Sequence, residues 1–218
     1  MRVFLYTAYY MELLAKLLGG TDRVKIMRLF LHSEGSILSL HDVAEKTKSK
    51  SVLLRKELTT LSSLGFIEKK KSKTYVSVGT AKKSVSKVKE VVGFTLNQDF
   101  PHIQALKDLL FDFQSLDKKE LASRFKLVGR IKLFIVSGIF IGESKSRVDI
   151  LIVGEGIKRP KAEKVIELMS AELGREIVYA IMDVEEYEYR YKMYDKFLRD
   201  IVDTPHEAVI DKIKEKIA

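Results

Sequence analysis

Apolar residues recur at helical spacing in three successive segments of the first third of the chain. A helix is predicted over residues 22–33 and a short one over 39–47, where Ser39 can act as the N-cap. A third helix follows the polar residues 48–51, and Gly65 is well placed to end it. Its inward face is predicted to hold four leucines: Leu54, Leu58, Leu61 and Leu64.

A basic segment with the pattern of a β-hairpin follows the third helix. We predict strands over Phe66–Glu68 and Thr74–Val78, joined by a tip made of Lys69, Lys70, Lys71, Ser72 and Lys73. The segment from Thr80 to Val92 is rich in lysine, serine and valine without a clean period, which is typical of a linker. The sequence therefore predicts two domains, residues 1–90 and residues 91–218.

The segment ahead of the first helix is apolar and partly aromatic, and it ends in Gly19 and Gly20. An additional helix is predicted there. It would pack either on the helices that follow or on a second copy of the chain.

Apolar runs alternate with amphipathic stretches in the rest of the chain. Strands are predicted at 131–140, 148–155 and 177–182, and helices at 102–113, 158–174, 185–202 and 206–217. Three tyrosines of the 185–202 helix share one face at helical spacing, which favours packing over base stacking: Tyr187, Tyr191 and Tyr194. The predicted fold class is α+β, with an α/β unit in the second domain.

The net charge of +9 is unevenly distributed along the 218 residues. Residues 1–90 hold 18 Lys/Arg against 8 Asp/Glu, whereas residues 91–218 hold 21 against 22. A basic module joined to a neutral one is typical of nucleic-acid-binding proteins, although a basic surface can also be merely solvated.

Composition narrows the remaining classes of function. The chain has no cysteine, which excludes disulfides and thiolate metal sites and suits a reducing cytoplasm. Its four histidines are scattered without metal-ligand spacing, and no apolar run is long enough to cross a bilayer. We therefore expect a cytoplasmic protein without a metal, a cofactor or a membrane partner.

The order helix, short helix, third helix and basic hairpin resembles the winged helix-turn-helix of prokaryotic transcription regulators, over about Leu17 to Val78. The resemblance implies that the third helix reads the major groove of duplex DNA, with Arg55 suited to a guanine edge. Val52 shares the exposed face of that helix. The DNA-binding residues expected are Lys48, Lys50, Ser51, Arg55, Lys56 and Thr59 from the helix, and Lys69, Lys70, Lys71 and Lys73 from the hairpin. The alternative is a winged helix used for protein contacts.

The order of strand, glycine turn, acid-bearing strand, helix and strand resembles the minimal nucleotidyltransferase fold, over about Gly129 to Ile201. The resemblance implies a small mixed sheet in this domain. In that family a Gly-Ser pair contacts the nucleotide and an Asp-x-Asp pair holds magnesium. Here the first pair is Gly138-Ile139, the second is Arg147-Val148-Asp149, and Tyr179 stands where a third acid is expected. The departures imply a pseudoenzyme, with no catalytic residues and no metal site.

Two uses of the second domain stay open. It would be a scaffold for dimerisation or partner binding in which Arg147 pairs with Asp149, or a sensor that binds a nucleotide or another anionic effector. The anion site would be formed by Gly138, Lys145, Arg147 and Asp149. As a whole, the chain resembles regulators of archaea and uncultured bacteria that bind double-stranded DNA as homodimers. The alternatives are a residual nucleotidyltransferase and an antitoxin or adaptor protein.

Overall fold

The computed structural model describes residues 6–78, 85–111, 118–143 and 145–213, which form a mixed α+β fold. Within these residues the α-helices are α1 (Tyr6–Leu18), α2 (Thr21–His32), α3 (Leu40–Thr47), α4 (Ser51–Ser63), α5 (Ile103–Leu110), α6 (Lys118–Arg124), α7 (Arg159–Leu173), α8 (Val184–Lys192) and α9 (Lys196–Val202). The strands are β1 (Leu38–Ser39), β2 (Ile67–Val78), β3 (Val85–Leu96), β4 (Arg130–Val136), β5 (Ile150–Glu155), β6 (Tyr179–Asp183) and β7 (Glu207–Asp211). The α+β class predicted from the sequence is confirmed.

The chain is divided into two compact units, each of which has most of its contacts within itself. The first unit is formed by the described residues of Leu14–Phe111 and Ala171–Arg175, and the second by those of Met1–Leu13, Asp112–Ser170 and Glu176–Ala218. The domain boundary expected between residues 90 and 91 stays a prediction, because packing in one conformation does not show which part of a chain folds independently.

Helix α3 begins with a capping box, in agreement with its sequence. The N–H of Asp42 donates to the Ser39 hydroxyl at 3.2 Å, and the N–H of Ser39 donates to the Asp42 carboxylate at 2.8 Å. These bonds satisfy backbone donors that the first turn of a helix otherwise leaves unpaired. A helix of only eight residues thereby has a defined start.

Helix α4 packs on the core of the first unit through three leucines, each at most 2% exposed: Leu54, Leu58 and Leu61. Leu64, predicted on the same inward face, is instead 62% exposed. The prediction for Leu64 is wrong because the helix ends at Ser63, so Leu64 does not continue the buried face of the helix. Phe66, which is 1% exposed, contributes the next buried side chain.

The end of α4 is a Schellman motif, which explains where the chain leaves the helix. The N–H of Phe66 donates to the carbonyl of Leu61 at 3.0 Å, and the N–H of Gly65 donates to that of Ser62 at 3.1 Å. Gly65 has φ 76°, a left-handed conformation that glycine adopts without a Cβ penalty. The glycine predicted to end the helix therefore does so.

The hairpin after α4 is longer than its sequence predicts. β2 and β3 pair antiparallel from Ile67 opposite Leu96 to Val78 opposite Val85, and β1 pairs with β3 to complete a sheet of order β1-β3-β2. The predicted lysine tip and linker are wrong in this respect. Residues 69–73 lie inside β2, and β3 takes up most of the expected linker. The connecting residues 79–84 lie outside the described part of the chain.

Arg28 is a buried cation in the first unit that the sequence pattern does not reveal. It is 2% exposed and lies on the inward face of α2. Its Nε donates to the carbonyl of Leu110 at 2.8 Å, and its Nη1 donates to that of Glu172 at 2.9 Å. These carbonyls belong to the last turns of α5 and α7, where cations are favoured and carbonyls lack partners within the helix.

The second unit is built on a four-stranded mixed sheet of order β6-β5-β4-β7. β5 runs parallel to β6, with α7 as the connection between them, and β4 pairs antiparallel with both β5 and β7. Every residue of β5 except Glu155 is buried, as its continuous apolar run predicts. A 3-10 turn at Gly138–Phe140 follows β4.

The end of the chain differs from its prediction in two places. The helix expected over 185–202 is broken between α8 and α9, where Tyr194 has φ 54° and Asp195 caps α9 by accepting from the N–H of Leu198. The helix expected over 206–217 is wrong at 207–211, which form β7 on the edge of β4. That edge offers hydrogen-bond partners that a local sequence pattern does not contain.

The predicted tyrosine face is divided by the same break. Tyr187 is buried and stacks on Tyr191 with 6.0 Å between ring centroids. Tyr194 is 74% exposed, so it does not pack in the core, and its packing at an interface stays a prediction. The Arg199 guanidinium instead lies 5.2 Å from the centre of its ring.

Candidate nucleic-acid interface

The turn between α3 and α4 is three residues long and is tied to the start of α2. Lys48 has φ 54° and ends α3, and Lys50 precedes α4. Between them, Ser49 is 9% exposed and donates its hydroxyl to the Asp22 carboxylate at 2.6 Å. A hydrogen bond to an ionised acceptor is stronger than one between neutral groups, so this contact holds the turn in place.

A second polar contact ties α2 to the body of α4. The guanidinium Nε of Arg23 lies 2.6 Å from a carboxylate oxygen of Glu57, and both side chains are largely buried. Arg23 also donates to the carbonyl of Leu18 at 3.0 Å. With the buried leucines, these bonds leave α4 one outward face.

The outward face of α4 holds all the side chains that the sequence predicts there. All seven residues that the sequence predicts there are exposed: Lys48, Lys50, Ser51, Val52, Arg55, Lys56 and Thr59. Residues four apart share a helix face, so residues 51–52, 55–56 and 59 form one surface. Leu53, which the sequence reading did not single out, is also 48% exposed.

The lysines of β2 extend the basic surface beyond α4. Lys69, Lys70 and Lys71 are exposed, with Lys70 lying 3.8 Å from Glu68. The side chain of Lys73 lies outside the described part of the structure. β2 follows α4 directly, and the amide of Asn97, just past β3, donates to the carbonyl of Gly65 at 2.8 Å. The base of the hairpin is thereby attached to the end of α4.

The charge of this surface is strongly positive. From Lys48 to Lys73 the chain carries eight Lys/Arg and two Asp/Glu. Both acids have cationic partners, Glu57 with Arg23 and Glu68 with Lys70. A surface of this kind can bind a polyanion by displacing its counterions, with an affinity that falls as salt rises.

The second site predicted from the sequence is the anion site around Gly138 and Asp149. Asp149 is 5% exposed, and its two carboxylate oxygens accept hydrogen bonds from the N–H groups of Ile139 at 3.0 Å and Val178 at 2.9 Å. Gly138 has φ 57°, and its N–H donates to the Ser146 hydroxyl at 3.0 Å. The carboxylate and the turn therefore already have partners within the protein.

Arg147 does not pair with Asp149, so the ion pair expected between them is wrong. Its guanidinium lies 3.1 Å from the carboxylate of Asp200, in an exposed contact. Lys145 is exposed as well. The anion site expected at Gly138, Lys145, Arg147 and Asp149 stays a prediction, with Asp149 turned toward the backbone.

Carboxylates elsewhere in the second unit have local roles. Glu155 accepts from Lys132 and Arg130, and the hydrogen bond from Lys132 is the main cause of its lowered pKa. Asp183 caps α8 by accepting from the N–H of Glu186 at 2.7 Å. Within the described residues, no three His, Asp or Glu side chains come together as a metal site would require.

Comparison with protein-family models, curated proteins and solved structures finds no match to this chain. No helix in the described ranges is long and apolar enough to span a membrane.

Proposed function

We propose that this chain is a transcription regulator that binds duplex DNA through a winged helix, with α4 as the helix that enters the major groove. The observation that carries the proposal is the outward face of α4 and the turn before it, which has four cations and no acidic residue among its exposed predicted contacts. The three-residue turn before α4 and the paired strands after it also support a winged helix.

The roles of individual side chains follow from their chemistry. Arg55 lies in the second turn of α4 and presents a planar fork that can bind the N7 and O6 acceptors of guanine. Lys50 and Lys56 suit phosphates, because an ammonium group is a point charge without a preferred plane. Lys69 and Lys71 of β2 would add contacts to the DNA backbone. Lys48, Ser51 and Thr59 complete the predicted surface.

The second unit is proposed to be a nucleotidyltransferase-like scaffold that mediates homodimerisation. The order β4, 3-10 turn, β5, α7 and β6 supports that likeness. Nucleotidyl transfer is not part of the proposal, since both carboxylate oxygens of Asp149 accept backbone N–H groups and Arg147 pairs with Asp200. A cytoplasmic location accompanies the proposal because the partner is DNA.

Binding of the full chain to mixed-sequence duplex DNA over a range of salt concentrations tests the proposal. We expect Lys56→Ala to reduce the slope of log K against log salt by about 1, as the loss of one phosphate contact should. Arg55→Ala should cost about 1–3 kcal/mol on a selected site and relax its sequence preference at one position.

A charge-matched control separates a specific surface from general attraction. Lys161→Ala removes one exposed cation from α7 and should leave the salt slope unchanged. Equal effects of Lys56→Ala and Lys161→Ala, or no duplex binding at low salt, would contradict the proposed function.

A further inference from the structure

The first turn of α4 exposes two large apolar side chains that the core does not use. Leu54 is fully buried, whereas Leu53 is 48% and Val52 is 82% exposed. Valine is a poorer helix former than alanine or leucine because its branched side chain is restricted at χ1. Neither helix propensity nor packing within the described residues accounts for Val52.

The surroundings of Val52 narrow the kind of surface that could cover it. Lys50 and Ser51 precede it, and Arg55 and Lys56 lie one turn later on the same face. A complementary surface must therefore be apolar at one point and anionic around that point. The major groove of DNA has this character, because phosphates line its edges and the 5-methyl group of thymine projects into it.

We propose that Val52, with Leu53 beside it, contacts thymine methyl groups, so that the preferred duplex carries thymine opposite the first turn of α4. The inference rests on the proposed function and adds to it a preference among bases. The N-terminal residues of a recognition helix are those that reach base edges. Thymine is the one standard DNA base with a methyl group in the major groove, so an apolar contact there discriminates.

Replacing thymidine by deoxyuridine tests this contact directly, because it removes only the 5-methyl group. Duplexes bound by the full chain are first selected from a randomised pool, and each thymidine of a selected site is then replaced in turn. At one or two adjacent positions we expect Kd to rise about fourfold, which corresponds to the burial of one methyl group.

Two matched variants assign the effect to Val52. Val52→Ser removes both γ-methyl groups and leaves a hydroxyl group, so it should reduce the deoxyuridine penalty to less than about twofold. Val178→Ser makes the same change at a residue of the second unit that is 54% exposed, and it should retain the full penalty.

The outcomes separate this inference from the proposed function. Equal Kd values for thymidine and deoxyuridine duplexes, or a penalty that persists in Val52→Ser, would overturn the inference while DNA binding stands. Absence of duplex binding at low salt would overturn both. An acidic protein whose affinity falls with Val52→Ser would then be the partner of this surface.

Discussion

The carboxylate of Asp149 lies so close to Gly138 that a Cβ atom at residue 138 would overlap its Oδ1. The same oxygen accepts from the N–H of Ile139, and the second oxygen accepts from the N–H of Val178. One buried acid thus joins the turn after β4 to the residue that precedes β6. This contact gives both Gly138 and Asp149 a structural role.

Gly138→Ala is expected to destabilise the chain by about 2–4 kcal/mol, combining a strained left-handed backbone with displacement of a buried carboxylate from its donors. Gly142→Ala is the matched control. Its φ is 73°, but a Cβ there would meet no atom within 4 Å, so only the backbone cost of about 1 kcal/mol applies. Denaturant unfolding measures both, and equal losses would contradict the tight contact.

Ser49→Ala should lower the free energy of unfolding by about 1.5–3 kcal/mol, because it removes the hydrogen bond that the buried Ser49 hydroxyl donates to the Asp22 carboxylate. Ser63→Ala is the control, since the Ser63 hydroxyl donates to the Thr60 carbonyl at an exposed position. That change should stay within about 0.5 kcal/mol of the parent. If both variants unfolded alike, the bond to Asp22 would not hold the turn.

Arg28→Ala is expected to cost about 2–4 kcal/mol, since it leaves the carbonyls of Leu110 and Glu172 without this donor and opens a cavity. Arg28→Lys should recover only part of the loss, because an ammonium group cannot reproduce the spacing of Nε and Nη1. Chemical denaturation followed by circular dichroism measures the series. Full recovery by lysine would show that charge alone matters at this position.

Burial lowers the pKa of His32 from 6.5 to about 4, and the nearby charges of Arg175, Arg28 and Lys107 act in the same direction. Its ring packs at 4.2 Å from that of Phe111. Because the folded state disfavours the protonated ring, the stabilising contribution is present above pH 6.5 and is lost as pH falls toward 4. The residue is partly exposed to solvent, so the loss is smaller than for a buried histidine.

The stability of the parent and of His32→Gln at pH 7 and pH 5 checks this pH dependence. The parent should lose more stability than the variant over that interval, since the variant has no ring to protonate. Titration of the His32 ring signals by NMR gives the pKa itself. A midpoint near 6.5 would contradict the lowered value.

The sequence predicts features that depend on neighbours along the chain. The capping box of Ser39, the inward leucines of α4 and the ending at Gly65 all involve residues within about one helical turn of each other. The exposed cations of α4 follow from the same periodicity. Val52 was recognised as exposed in this way, whereas Leu53 was missed because three consecutive apolar residues do not show which of them the core needs.

Features that depend on distant partners were not predictable in this way. Lys69–Lys73 are predicted to form the tip of the hairpin because lysine is uncommon in strands. They lie inside β2 instead, because they pair with residues 90–94 of β3. Residues 207–211 have the sequence pattern of a helix, but they form β7 because they pair with the edge of β4. Arg147 lies two residues from Asp149 but pairs with Asp200, 53 residues away.

By itself, the sequence determined the helices of the first unit, the α+β class and the concentration of positive charge before residue 91, because each follows from local periodicity or composition. Tertiary structure alone decided the partners of Asp149, Arg147 and Arg28, the length of the β2–β3 hairpin and the break at Tyr194. Strand pairing and the satisfaction of buried charges depend on groups that are brought together only when the chain folds.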